Sequence, residues 1–178
     1  IRRPPRSTLF PYTTLFRSAC YGVPMEESAK ALATARLTGS RQEIIYIGDI
    51  TFINDAYNAS PASMEAALKT LAEAKKAAKN ARTIAVLADM LELGVISEDA
   101  HRRVGSWAVE YGTNIVLTYG QEAAYISDQV EKLGGNAMHF ATRQEAADKL
   151  RQLADAGDII LLKGSNSMQV GKMLELFK

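Results

Sequence analysis

The sequence predicts an α/β protein, a Rossmann-like three-layer domain with a mostly parallel sheet, helices on both faces and an N-terminal β-hairpin. Two observations carry that prediction. From Ser60 onward, short uninterrupted apolar runs alternate with longer stretches rich in Ala, Leu, Glu and Lys, the pattern of buried parallel strands joined by covering helices. Just before them, Glu43 to Ile47 and Ile50 to Ile53 are β-branched runs separated only by Gly48-Asp49, the spacing of a two-residue hairpin turn.

The chain begins on a different footing. Residues 1–18 (IRRPPRSTLFPYTTLFRS) hold four of the 21 basic residues, three of the five prolines and no acid. They lack the apolar stretch and small-residue cleavage site of a signal peptide. They resemble translated adapter or vector sequence, so a non-native or disordered leader is expected. Residues 19–178 carry 17 basic and 20 acidic side chains, a net charge of −3, which disfavours nucleic acid as a partner. No run approaches the ~20 apolar residues of a membrane span. Cys20 is the single cysteine, which rules out an internal disulfide framework and fits a reducing compartment. A cytoplasmic monomer is expected.

Residues 25–37 read as a helix, with Met25, Ala29, Leu32 and Ala33 as its apolar positions and acids in its first turn. Thr38-Gly39-Ser40 breaks the pattern and Arg41 follows. After the hairpin, Ser60 sits where an N-cap belongs and Pro61 where a first helical residue belongs, opening a helix over 61–79. Strands are then expected over 83–87, 114–118, 137–140 and 158–162, with helices over 98–111, 121–133, 143–155 and 167–177. Thr142 and Glu145 form a capping-box pattern ahead of the 143–155 helix.

Four strand ends place polar groups on one rim of such a sheet, where anions and nucleotides are held in open α/β folds. They are Asp55-Ala56-Tyr57-Asn58; Asp89 to Gly94 with His101 beyond; Tyr119-Gly120; and Lys163-Gly164-Ser165-Asn166-Ser167-Met168. Three of them have a plain alternative. Asp55 and Asn58 suit a turn that bonds its own backbone, His101 suits a capping or packing position, and Lys163 suits an ordinary surface lysine. Gly164 lets a ligand approach the backbone, and Ser165 or Ser167 can cap the following helix.

Read together, these strings resemble the Mur ligases. Asp55-Ala56-Tyr57-Asn58-Ala59-Ser60-Pro61 is similar to the family's Asp-x-Tyr-Asn-Ala-Asn-Pro, with Ser60 in place of the second Asn. Ala88-Asp89-Met90-Leu91-Glu92-Leu93-Gly94, followed by His101 and Val104-Gly105, resembles a second motif, with Ala88 in place of Gly. Leu162-Lys163-Gly164-Ser165-Asn166-Ser167-Met168 resembles a third, with Asn166 where Arg is often found. The resemblance covers residues 19–178. It implies that 19–40 end a central ATPase domain and its hinge, and that 41–178 are the family's C-terminal domain.

The resemblance implies an ATP-dependent ligase of peptidoglycan synthesis, and so of cell-wall growth and division. The implied reaction adds D-alanyl-D-alanine to UDP-N-acetylmuramoyl-tripeptide through an acyl phosphate. It implies that Arg41, Asp55 and Asn58 meet ATP. It implies that Lys163, also the candidate catalytic residue, and Ser165 meet the dipeptide or phosphoryl group, with Asn166, Asp89 and His101 as further substrate contacts. The family's P-loop and magnesium ligands lie in the central domain. No Gly-x-x-x-x-Gly-Lys-(Ser/Thr) occurs in these 178 residues, so they are expected to be inactive alone. No Cys/His/carboxylate cluster has metal-ligand spacing, and no metal ligand is expected. The alternatives are a free-standing Rossmann-like or flavodoxin-like nucleotide-binding domain without catalysis, or the C-terminal domain of another Mur or folylpolyglutamate-type ligase.

Overall fold

The computed structural model describes residues 17–34, 41–78 and 81–177. The chain divides into two compact units, 1–38 and 39–178. In the first, Tyr21 N–H donates to the Arg17 carbonyl at 3.1 Å, closing a helical turn. Helix α1 (Met25–Thr34) follows, with Glu26 and Glu27 in its first turn, at the positive end of the helix dipole. Residues 1–16 of the expected leader and 35–37 of the expected helix lie outside the described residues.

The second unit is built on one sheet of six strands: β1 (Glu43–Ile47), β2 (Ile50–Asn54), β3 (Thr83–Ala88), β4 (Ile115–Tyr119), β5 (Ala137–Phe140) and β6 (Ile159–Lys163). Their order is β1-β2-β6-β3-β4-β5. β1 and β2 form the expected antiparallel hairpin, with Ile47 opposite Ile50. Every other pairing is parallel. Of the two turn residues only Gly48 has a positive φ, 57°, which glycine adopts without a Cβ clash.

Strand β6 comes last in sequence yet lies between β2 and β3, buried along its whole length. Successive side chains point to opposite faces, so Ile159 and Leu161 join Ile53, Ala85 and Leu87 in one core layer. Ile160 and Leu162 join Phe52, Ile84 and Val86 in the other. Helices α2 (Pro61–Ala77), α3 (Ser97–Glu110) and α4 (Ala124–Lys132) cover the first layer through Met64, Leu68, Leu71, Val104 and Ile126. Helix α5 (Arg143–Leu153) and the segment Val170–Phe177 cover the second through Ala147, Leu150, Met173 and Leu174. The expected three-layer arrangement is present.

Both sequence-read caps form. Ser63 N–H donates to Ser60 Oγ at 3.4 Å while Ser60 N–H donates to Ser63 Oγ at 2.9 Å. Glu145 N–H and Thr142 Oγ1 make the same exchange at α5, reciprocated by Thr142 N–H to Glu145 Oε2 at 3.0 Å. Each reciprocal pair satisfies two helix-end donors.

The expected helix over 167–177 is a correction. The chain instead makes two 3₁₀ segments, Asn166–Met168 and Val170–Phe177, broken at Gln169 with a left-handed φ of 54°. In an α-helix the Met168 carbonyl would accept from Lys172 N–H. Here the Tyr119 hydroxyl takes that carbonyl at 2.6 Å, and Lys172 N–H donates to Gln169 O at 3.1 Å. Arg143 holds the break from the other side by donating to Gln169 Oε1 at 2.9 Å.

Burial holds the Tyr119 phenol well above its usual value near 10; Arg143 opposes the shift and Asp89 adds to it. The unfolded chain therefore loses this proton near its usual pKa while the folded chain keeps it. The contribution is whole below about pH 10 and lost as pH rises further. Stability is expected to fall less steeply above that pH in Tyr119→Phe than in the parent. Parallel curves of melting temperature against pH would show that another group governs alkaline unfolding.

Candidate functional site

The chain leaves β2 and β3 toward one face of the sheet and β6 toward the other. The loops therefore part on either side of β6, opening the kind of crevice in which α/β sheets bind ligands. A cleft of about 380 Å³ lies there, lined by Tyr57 and Asn58 after β2, Leu91 and Glu92 after β3, and Ser165, Asn166 and Ser167 after β6. Its polar lining is a phenol, two amides, two hydroxyls and one carboxylate, with no cation. Such a set suits a nucleobase, a sugar or an ammonium group. It does not suit a phosphate.

The expected site residues divide into those that face this cleft and those that build it. Lys163 is 1% exposed. Its Nζ donates to Asp55 Oδ2 at 2.6 Å, the Asn58 carbonyl at 3.0 Å and the Asp55 carbonyl at 3.3 Å. Asp55, also buried, accepts from Gln42 N–H through Oδ1 at 3.2 Å. Strand alternation brings the two together: Asn54 pairs with Leu162, so the residues that follow each lie side by side on the α2 face. Asn58 stands exposed at the loop tip, with its Oδ1 accepting from Ala59 N–H at 2.8 Å, which leaves its amide N–H groups for a ligand. Arg41 is exposed and lies over the Tyr57 ring, 3.9 Å from its centroid, a cation–π contact.

Ser165 lines the cleft but is committed to the opposite wall. Its Oγ accepts from Leu91 N–H at 2.9 Å and its N–H donates to the Asp89 carbonyl at 3.0 Å. Of the two serines expected as possible caps, Ser165 makes no side-chain cap to the segment that follows it. Asn166 is exposed in the lining. Asp89 points away from the cleft and accepts three backbone N–H groups, from Gln121, Glu122 and Ala123, at 3.1, 3.1 and 2.7 Å. His101 is fully buried; Met90 N–H donates to its Nε2 at 3.0 Å, and its Nδ1 lies 2.8 Å from the Ser97 carbonyl. Those partners require the Nδ1–H tautomer. At Gly164 a Cβ would meet Ala88 Cβ and Val170 Cγ2, each at 2.7 Å, so core packing by itself is enough to demand the glycine.

Three polar lining residues were absent from the expected set. Tyr57 is 46% exposed and lines the cleft. Glu92, at φ 65°, and Ser167 complete the polar edge. All three lie inside the motif strings, so proximity to the strand ends was the available signal. A second depression of about 400 Å³ shares Asn166 and Ser167 and adds Lys172 and Glu175. Among the described residues, no three His, Cys, Asp or Glu side chains come together so as to hold a metal ion. No described helix is long and apolar enough to cross a membrane.

Residues 40–166 match the family described as Mur ligase, glutamate ligase domain. A UDP-N-acetylmuramoyl-tripeptide–D-alanyl-D-alanine ligase from Bacillus subtilis is 32% identical over 160 residues, covering 88% of this chain and 34% of that protein. The ligase of the same name from Escherichia coli is 35% identical over 117 residues, covering 65% of this chain and 24% of that protein. A crystal structure of MurF from Acinetobacter baumannii superposes with a TM-score of 0.77 at 26% identity, covering 90% of this chain and 35% of that one. The chain spans about a third of the length of the first of these relatives.

Proposed function

Because this chain belongs to the Mur ligase family, we propose that it supplies the C-terminal domain of an ATP-dependent ligase joining D-alanyl-D-alanine to UDP-N-acetylmuramoyl-tripeptide. Residues 19–40 would be the end of the central ATPase domain and the hinge, and 41–178 the C-terminal domain. The observation that supports this reading most is the cleft: its lining comes from the three strings that carry the family resemblance. ATP with magnesium supplies the phosphoryl group that activates the peptide carboxylate for attack by the dipeptide amine.

This chain's residues serve binding and positioning in that reaction. Tyr57 offers an aromatic face, and Asn58 offers amide N–H groups to the acceptor nitrogens of a nucleobase. Asn166, Ser167 and Glu92 provide polar partners for ribose hydroxyls or for an amine. Arg41 is the exposed cation beside this end of the cleft. The lining lacks a cation, which fits the nucleoside end of ATP and leaves the triphosphate and its magnesium to residues outside these 178.

The 178 residues alone are expected to release no phosphate from ATP with UDP-muramoyl-tripeptide, D-alanyl-D-alanine and magnesium, because they carry no P-loop. Joined to the portion of the Bacillus subtilis relative that this chain does not match, they should restore dipeptide-dependent phosphate release. In that chimera Asn58→Ala should raise the KM for ATP ten- to a hundredfold, the effect of losing ~1–3 kcal/mol of hydrogen bonding, with kcat changed less. A folded chimera without dipeptide-dependent turnover would overturn the reading.

A further inference from the structure

We propose that Lys163 is a positioning residue that clamps the Asp55–Asn58 loop onto the end of β6 and makes no contact with ligand. The geometry of its ammonium group carries this. An ammonium has three hydrogens, and three acceptors surround Nζ: the Asp55 carboxylate, the Asp55 carbonyl and the Asn58 carbonyl. The side chain is 1% exposed and forms no part of the cleft lining. No donor is left for a phosphoryl group or a peptide.

One cation thus holds the loop at both ends. At the start it neutralises Asp55, whose other oxygen takes Gln42 N–H and so ties down the backbone just after Arg41. At the tip it holds the Asn58 carbonyl, and so fixes the backbone that carries Asn58 and the neighbouring Tyr57 in the cleft lining. Loss of the ammonium leaves the Asp55 carboxylate buried without its counter-charge and the loop tip without its donor, a costly state for a buried pair. The role follows from contacts within this chain, and only its nucleotide arm rests on the function proposed above.

Hydrogen exchange on the whole 178-residue chain tests this directly. The amides of Asp55, Ala59 and Ser60 report on the loop, because each is hydrogen-bonded in it: Asp55 to Leu162 O, Ala59 to Asn58 Oδ1 and Ser60 to Ser63 Oγ. Lys163→Met is expected to speed their exchange at least tenfold while α3 exchanges at the parent rate. Asp55→Asn/Lys163→Met should recover much of the melting temperature that the single change loses, because no unpaired charge stays buried. Its loop should still exchange fast, because the Asn58 carbonyl still lacks a donor. Where Lys163→Met does not fold, Lys163→Arg gives the readout: its planar fork keeps the charge but cannot reproduce the compact three-way contact, so the same local signature is expected.

Parental exchange at these three amides in a folded variant would overturn the assignment. So would uniform acceleration across the sheet, which marks a merely structural residue. Titration with ADP separates this proposal from the functional one. Fast loop exchange in the variant, with no ADP binding even by the parent, leaves the clamp standing and removes the nucleotide reading. Lost ADP binding with an undisturbed loop would place Lys163 on the ligand and sink the clamp.

Discussion

Asp89→Ala is expected to lower stability by about 3 kcal/mol, seen as a melting temperature roughly 10 °C below that of the parent. Asp89 is 6% exposed and serves as a cap supplied from another strand, accepting the N–H groups of Gln121, Glu122 and Ala123 just before α4. Ala123, at the N-cap position of α4, has no side chain to do this itself. A single lost cap costs ~0.5–2 kcal/mol, and each buried donor left without a partner costs ~1–3 kcal/mol. Three donors at a rim that water partly reaches give a sum between those limits. Asp89→Asn keeps one acceptor oxygen and should lose about half as much. A change below ~1 kcal/mol in the alanine variant would mean that water replaces the carboxylate freely and that the cap is not what holds this turn. Gly120 belongs to the same device: it sits at φ 109° and a Cβ there would run into the Asp89 carboxylate.

The fold was legible because its signals are local. β3, β4 and β6 are predominantly apolar runs, and Ser60-Pro61 and Thr142 announce their helices within four residues. The C-terminal segment was not legible, because its 3₁₀ form depends on a bond from Tyr119 to Met168, 49 residues apart. The composition of the segment itself cannot register such a competitor for a backbone carbonyl.

The rim was legible for a topological reason, since parallel strands bring their carboxyl ends to one side. Which side chains face a ligand was not. Asp55 and Lys163 are 108 residues apart in sequence, and Asp89 is more than 30 residues from the amides it caps. Each is a charged residue at a strand end, and sequence cannot tell a charge offered to a ligand from one spent on a neighbouring loop. His101 shows the same ambiguity: buried, with both ring nitrogens engaged, it shapes the Met90–Leu91 wall of the cleft from behind. The exposed polar residues Tyr57, Asn58, Glu92, Asn166 and Ser167 are what remain to face a ligand.

Gly164→Ala is expected to cost about 2–3 kcal/mol, the range of overpacking in a tight interior. The β-carbon it adds would lie 2.7 Å from both Ala88 Cβ and Val170 Cγ2. Leu87 pairs with Lys163 across the sheet, so Ala88 and Gly164 are the next residues in register as the strands end. Their closeness gives the substitution an internal test. Ala88→Gly removes one of the two obstructing atoms, so Ala88→Gly/Gly164→Ala should recover part of the loss. Full recovery is not expected, because Val170 Cγ2 remains. Adding Val170→Ala would clear the second contact but leave a gap in the layer that holds Met173 and Leu174, which carries its own cost of lost packing. The expected signature is therefore a favourable coupling between positions 88 and 164 in a double-mutant cycle, of the order of 1 kcal/mol. Additive effects would show that the loop after β6 shifts to accommodate the methyl group. In that case Gly164 is not fixed by packing against Ala88, and a close approach by ligand becomes the better explanation for a glycine between Lys163 and Ser165.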